Sequence, residues 1–212
     1  MADIFELFKK ISEKKESVPF TPEFIVAGLG NPDSKYTFTR HNAGFLALDY
    51  ISQKYQTEVR LVKFKSLTGR AVIGGHSVLL MKPQTYMNNS GQAVAEAADF
   101  YKIPPEKIIV ISDDVHQASG RMRIRRSGSS GGQKGLGDII EKLGTENIPR
   151  IRIGVGEKPS PEYDMAAWVL GKIPEEDQKK LFSVFGCVSD ALPLILDGRI
   201  DDAMGKYNGV AF

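Results

Sequence analysis

Of the three histidines in this chain, His41 is the one set among residues that could do chemistry with it. It lies in Tyr36-Thr37-Phe38-Thr39-Arg40-His41-Asn42-Ala43-Gly44, a polar, loop-like stretch just ahead of a helical apolar pattern. That position does not suit a packed core imidazole, which leaves a general base facing a cleft or a surface histidine. A histidine base needs a partner that fixes its tautomer and stabilises its protonated form. Asp113-Asp114 follow Ile108-Ile109-Val110-Ile111, so Asp113 sits at a strand tip, either as that orienter or as a turn carboxylate. His76, beside the Gly74-Gly75 turn, and His116, in a loop after a strand, read as surface residues. The histidine spacing matches no HExxH or other metal-ligand pattern and does not point to zinc.

A second constellation is Lys82-Pro83-Gln84-Thr85-Tyr86-Met87-Asn88-Asn89-Ser90-Gly91, a polar loop delivered by a strand and closed by a helix start. Side-chain amides and helix-start N–H groups can donate to a carbonyl or a developing oxyanion. Capping by Ser90 alone accounts for neither Asn88 nor Tyr86. Gly28-Leu29-Gly30-Asn31-Pro32-Asp33 begins like a dinucleotide fingerprint, but the third glycine is missing and Pro32 interrupts the helix start. The only acid at the required distance, Asp49, falls inside a helical pattern. What survives is a sharp turn at a strand's C-terminal end, where α/β proteins place their sites.

Charge is distributed unevenly. The formal net charge is only +2, so nucleic-acid binding cannot be argued from the total. Locally, Arg121, Arg123 and Arg125 alternate with Met122 and Ile124 and share one strand face. Arg126 and a Gly- and Ser-rich loop follow, and no acid occurs between Asp114 and Asp138. Arg150 and Arg152 repeat the alternation on another strand. An arginine face beside a glycine-rich loop suits phosphate, with a solvated basic surface as the plainer alternative.

Alternating elements must position these groups. Apolar runs at 24–27 and 108–111, a strand over 121–126 and another near 150–155 read as strands, as do 59–64, 69–74 and 77–82, the last two joined as a hairpin. Phe45, Leu48, Ile51 and Tyr55 mark one helix; Val94, Ala97 and Tyr101 mark a second, with Ser90 as its expected N-cap. Leu136, Ile139, Ile140 and Leu143 mark a third that stops at Gly144. A long helix beyond Pro174 carries Leu181, Phe185, Val188 and Leu192, with a kink expected at Pro193. The pattern predicts a single α/β domain: a twisted mixed β-sheet flanked by helices. Residues 22–212 form that domain, and 1–21 an amphipathic helical extension in which Ile4, Phe8 and Ile11 share a face.

The composition, 42% hydrophobic and 25% charged, excludes a disordered, collagen-like or coiled-coil chain. The one cysteine, Cys187, lies in an apolar helical stretch and reads as a buried small hydrophobe rather than a nucleophile. Neither a membrane-length apolar run nor an uninterrupted secretory stretch is present, which predicts a cytoplasmic protein.

Taken together, GLGNP, TRHNAGF, KPQTYMNNSGQAV, IIVISDD, GSSGGQKGLGDII and RIRIGVG, in that order, resemble the bacterial-type peptidyl-tRNA hydrolase family from about Phe24 to near Asn208. The resemblance implies a metal- and cofactor-free monomer that hydrolyses the ester between a peptide and tRNA. It places the catalytic base on His41 and its supporting aspartate on Asp113. Asn31 falls on the position that distinguishes blocked from free aminoacyl groups, and Tyr36, Tyr86 and Asn88 fall on substrate-contacting positions. Asn88 would also stabilise the oxyanion, and Arg121, Arg123, Arg125, Arg126 and Arg152 would form a platform for tRNA phosphates.

The chain departs from the family where Gly-Gly-His-Asn-Gly is usual and Gly131-Gly132-Gln133-Lys134-Gly135 is found. Glutamine still donates and accepts. Lys134, at the usual substrate-binding asparagine, only donates and adds a charge, so its contact would be with a phosphate or the carbonyl oxyanion. This departure keeps a second function class open: a non-catalytic tRNA- or RNA-binding paralogue of the same fold.

Overall fold

The computed structural model describes residues 20–212, so the expected N-terminal helix lies outside the described residues. Strand β1 (Phe24–Gly28) occupies the middle of a seven-stranded sheet. Helix α1 (Ala43–Lys54) follows, and then β2 (Leu61–Lys63), β3 (Ser66–Ile73) and β4 (His76–Pro83). Helix α2 (Ser90–Tyr101) leads to β5 (Ile108–Asp114) and β6 (Met122–Arg125). The rest comprises α3 (Lys134–Leu143), β7 (Arg150–Gly154), α4 (Met165–Leu170), α5 (Glu175–Leu196) and α6 (Ile200–Tyr207).

The sheet order is β2-β3-β4-β1-β5-β7-β6. β1 runs parallel to β4 and β5, and β5 parallel to β7, whereas the β2/β3, β3/β4 and β6/β7 pairs are antiparallel. The mixed sheet expected from the sequence is thus present, with a hairpin at one end and an antiparallel strand at the other. Period-2 alternation divides its side chains between two cores. Val26, Ile109, Ile111 and Ile151 pack against α1, α5 and α6. Ile25, Ala27 and Val110 pack against α2 and α3. No described helix is long and apolar enough to cross a membrane.

Several local expectations change. Asn89, not Ser90, precedes α2 as its N-cap, and Ser90 Oγ instead donates to the Met87 carbonyl at 2.9 Å. The helix start is held from another element: Gly91 N–H donates to Asp138 Oδ2 at 2.6 Å, which fastens α2 to α3. β5 continues through Asp113 and Asp114 rather than ending before them. Pro193 lies inside α5, which continues to Leu196. Two short helices, α4 and α6, escape the periodicity argument because they span only 6 and 8 residues.

Close backbone approach draws the central strands and α1 together. A Cβ on Gly44 would lie 2.4 Å from both the Ile111 carbonyl oxygen and the Leu29 nitrogen. Only glycine lets the first turn of α1 settle onto the ends of β1 and β5. Phe45 N–H donates to the Leu29 carbonyl there at 3.1 Å.

Candidate active site

That close approach fixes what lies one turn earlier. Residues Arg40–Asn42 form a 3₁₀ turn running directly into α1. The turn is anchored on its far side as well, because Arg40 N–H donates to the Gly171 carbonyl at 3.1 Å. The Arg40 guanidinium is buried over the Trp168 ring, 3.5 Å from its centroid, and donates to the Lys172 carbonyl at 3.1 Å. Burial lowers the proton affinity of this guanidinium.

His41 is therefore held between β5 and α4. Its Nδ1 stands 2.9 Å from Asp113 Oδ2, and the two side chains are 12% and 2% exposed. Gln133 is the N-cap of α3: its Oε1 accepts from Leu136 N–H at 2.7 Å, and its Nε2 lies 3.1 Å from Asp113 Oδ1. Asp113 is thus contacted at both oxygens.

Asn31 is buried at the end of the β1 turn. Its Oδ1 accepts from Met87 N–H at 2.9 Å, which leaves the amide NH₂ as its remaining donor. Asn42 clamps the same residue, accepting from Asn31 N–H at 2.8 Å and donating to its carbonyl at 3.0 Å. Sequence reasoning missed Asn42. The available signal was an asparagine beside the candidate histidine, matched to a second asparagine in a glycine-rich turn.

These groups surround a cleft of about 630 Å³. Asn31, Tyr36, His41, Tyr86, Asn88 and Lys134 all line it. Val115, Met165, Val169 and Leu170 supply an apolar wall. Asn88 is exposed, and Tyr86 has a positive φ of 57°, an uncommon backbone state for a side chain of its size. Its hydroxyl donates to Asp33 Oδ2 at 3.0 Å, and that bond raises the phenol's pKa. His116, exposed as expected, also lies on the rim.

The basic stretch separates into four environments. Arg121, Arg123 and Arg125 are exposed on the edge strand and its flank, with no acidic partner among the described residues. Arg126 is exposed but pairs with Asp201 at 3.0 Å. Arg152 turns into the cleft, 3.1 Å from the buried Asp114. Arg150 does not belong to an open basic face. It is 2% exposed and donates to the carbonyls of Gly128, Glu146 and Ile148 at 2.6, 3.0 and 2.6 Å, respectively. Alternation placed it on the correct face of β7, but the loop after β6 folds over it. Cys187 is half-buried, and burial raises its thiol pKa, which argues against a nucleophile there.

An imidazole braced by a buried carboxylate, in a cleft lined by amides, is a constellation suited to general-base hydrolysis. The family model for peptidyl-tRNA hydrolase matches residues 25–211, and the chain belongs to that family. It is 48% identical over 187 residues to a peptidyl-tRNA hydrolase of Caldicellulosiruptor bescii, covering 88% of this chain and 97% of that protein. It is likewise 48% identical over 186 residues to one of Agathobacter rectalis, covering 87% of this chain and 100% of that protein. The crystal structure of peptidyl-tRNA hydrolase from Acinetobacter baumannii superposes with a TM-score of 0.84 at 36% identity, covering 91% of this chain and 97% of that one.

Proposed function

We propose that this chain hydrolyses the ester joining a peptide, or another N-blocked aminoacyl group, to tRNA, with His41 as the general base. The observation that carries this reading is the 2.9 Å contact of His41 Nδ1 with buried Asp113, which leaves Nε2 for water. Nε2 takes a proton as the water oxygen attacks the ester carbonyl carbon. Asp113 stabilises the imidazolium, and Asn88 donates to the oxyanion of the tetrahedral intermediate. On collapse the proton passes to the departing ribose oxygen, giving free tRNA and a peptide carboxylic acid, which ionises by releasing its proton to solvent. General-base assistance contributes about 10²–10⁴-fold and one oxyanion donor about 10²–10³-fold.

Asn31 is suited to testing the amino end of the substrate, because Met87 N–H fixes its side-chain amide in one orientation while Asn42 holds its backbone. Tyr36 and Tyr86 flank the same space. Lys134 stands exposed at the first position of α3, where a cation opposes the helix dipole at a cost of about 0.3–1 kcal/mol. That cost fits a role in contacting anionic substrate.

Arg121, Arg123 and Arg125, with the partly neutralised Arg126, would take tRNA phosphates. Arg123 is the cross-strand neighbour of Arg152, which lines the cleft, so a backbone track can run from the sheet edge to the ester. In this reading residues 22–212 act as one domain, a monomer in the cytoplasm, and 1–21 are an appendage.

The test is release of N-acetyl-aminoacyl groups from tRNA by the purified chain. Hydrolysis that spares the unblocked aminoacyl-tRNA supports the reading. A chain that binds tRNA yet leaves the ester intact would instead be the non-catalytic RNA-binding paralogue. That alternative drew on Gln133-Lys134, but Gln133 leaves the His41–Asp113 pair assembled.

A further inference from the structure

Gln133 is 7% exposed and wedged between the start of α3 and the strand tip that carries Asp113. Elementary chemistry fixes which way its amide points. The Leu136 backbone N–H only donates, so the atom facing it at 2.7 Å is the amide oxygen. The nitrogen consequently faces Asp113 Oδ1 at 3.1 Å, where an ionised carboxylate only accepts. The helix that Gln133 caps thereby dictates that Gln133 donates to the aspartate. Met87 Sδ, 3.0 Å from the same nitrogen, seats it from another side.

Asp113 is held at two points in consequence, by Gln133 at Oδ1 and by His41 at Oδ2. With a bond at each oxygen, the carboxylate is stiffened against turning about its Cβ–Cγ bond beyond what the His41 contact alone gives. At 2% exposure, water cannot readily replace a donor lost from this carboxylate. The plane in turn sets the direction in which the imidazole presents Nε2 to the cleft.

We infer that Gln133 is a positioning residue for the hydrolytic reaction, acting through Asp113 on His41; this rests on the reading of His41 as base given above. Where the family's usual histidine can gain and lose a proton, this side chain remains a neutral donor at every pH at which the fold persists. The brace is therefore built from the capping turn of a helix and does not titrate.

The test is steady-state hydrolysis of N-acetyl-aminoacyl-tRNA by Gln133→Ser, Gln133→His and His41→Ala, with melting temperatures measured alongside. Serine is a good N-cap and keeps an acceptor for α3, but it is too short to reach Asp113. Gln133→Ser should fold as the parent does and lose about ten- to a hundredfold in kcat, with KM within about twofold. Gln133→His, whose ring N–H can reach the carboxylate, should recover most of that loss. If Gln133→Ser does not fold, Gln133→Asn, also a good cap with a shortened amide, carries the same expectation. Parental kcat in the serine or asparagine variant, a defect confined to KM, or no recovery with histidine would each overturn the assignment. An inactive His41→Ala beside a fully active Gln133→Ser removes the role of Gln133 alone. A His41→Ala that still turns over removes the base and its brace together.

Discussion

Asn42 and Asn31 hold one another by two hydrogen bonds, of 2.8 and 3.0 Å, across the turn between β1 and α1. His41 precedes one of them, and the other faces the cleft, so the proposed base and the residue proposed to read the substrate's amino end are set by a single clamp. Gly44 seats that clamp on the sheet.

Gly44→Ala forces a Cβ to within 2.4 Å of the Ile111 carbonyl oxygen, and the first turn of α1 must lift. We predict destabilisation of about 1–3 kcal/mol and at least a tenfold fall in kcat, since a displacement of about 1 Å costs about 10² in rate. Thermal melts and initial rates measure both. Parental values would show that the close approach does not position His41.

Lys134→Asn removes a cation from the first turn of α3. The variant should melt at the parental temperature or about 1–3 °C above it. Its KM for N-acetyl-aminoacyl-tRNA should rise, and the salt dependence of log KM should flatten by about one. Unchanged KM and slope would take Lys134 out of substrate contact.

The arginines should divide by environment. Arg123→Ala with Arg125→Ala should leave stability within about 0.5 kcal/mol of the parent and flatten the salt slope of tRNA binding by about two. Arg150→Ala should destabilise by about 3 kcal/mol or more, because it empties a buried site and leaves the buried Ile148 carbonyl, with the half-buried Gly128 carbonyl, unpaired. Urea melts and filter binding on the same preparations test the contrast. A salt slope moved by Arg150 and not by the pair would reverse the assignment.

His76 lies away from the cleft, between Glu23 Oε2 at 3.1 Å and Asp197 Oδ1 at 3.0 Å, with Lys107 also acting on Glu23. The bond to Glu23, and then that to Asp197, raises its pKa above the ordinary histidine value. A raised folded-state pKa stabilises fully below the unfolded value of about 6.5 and loses that contribution as pH climbs through the folded value. His76→Gln should therefore lower the melting temperature by about 2 °C at pH 5.5 and by less at pH 9. An equal loss at both values would show that the imidazolium contributes nothing.

Much of this was legible in the sequence, and the exceptions have physical reasons. Apolar runs of four or five residues ending in glycines or acids identify β1 and β5, and strand tips identify where Asp113 must stand. His41 stood out because its neighbours are polar and a helix begins beside it. Alternation gave the faces of β6 and β7 but not their depth, so Arg150, covered by a loop, looked the same as Arg123. Contacts distant in sequence left no local trace: Arg40 meets Trp168 across 128 positions. Gln133 carried a weak signal, a polar residue three places before Leu136 at a helix start, but its hold on Asp113 requires the assembled sheet.

The most direct measurement is single-turnover cleavage of N-acetyl-aminoacyl-tRNA by His41→Ala, with tRNA affinity determined on the same preparation. If His41 is the general base, the rate should fall by about 10² or more while the affinity stays within about twofold of the parent. Near-parental cleavage with intact binding would contradict that role.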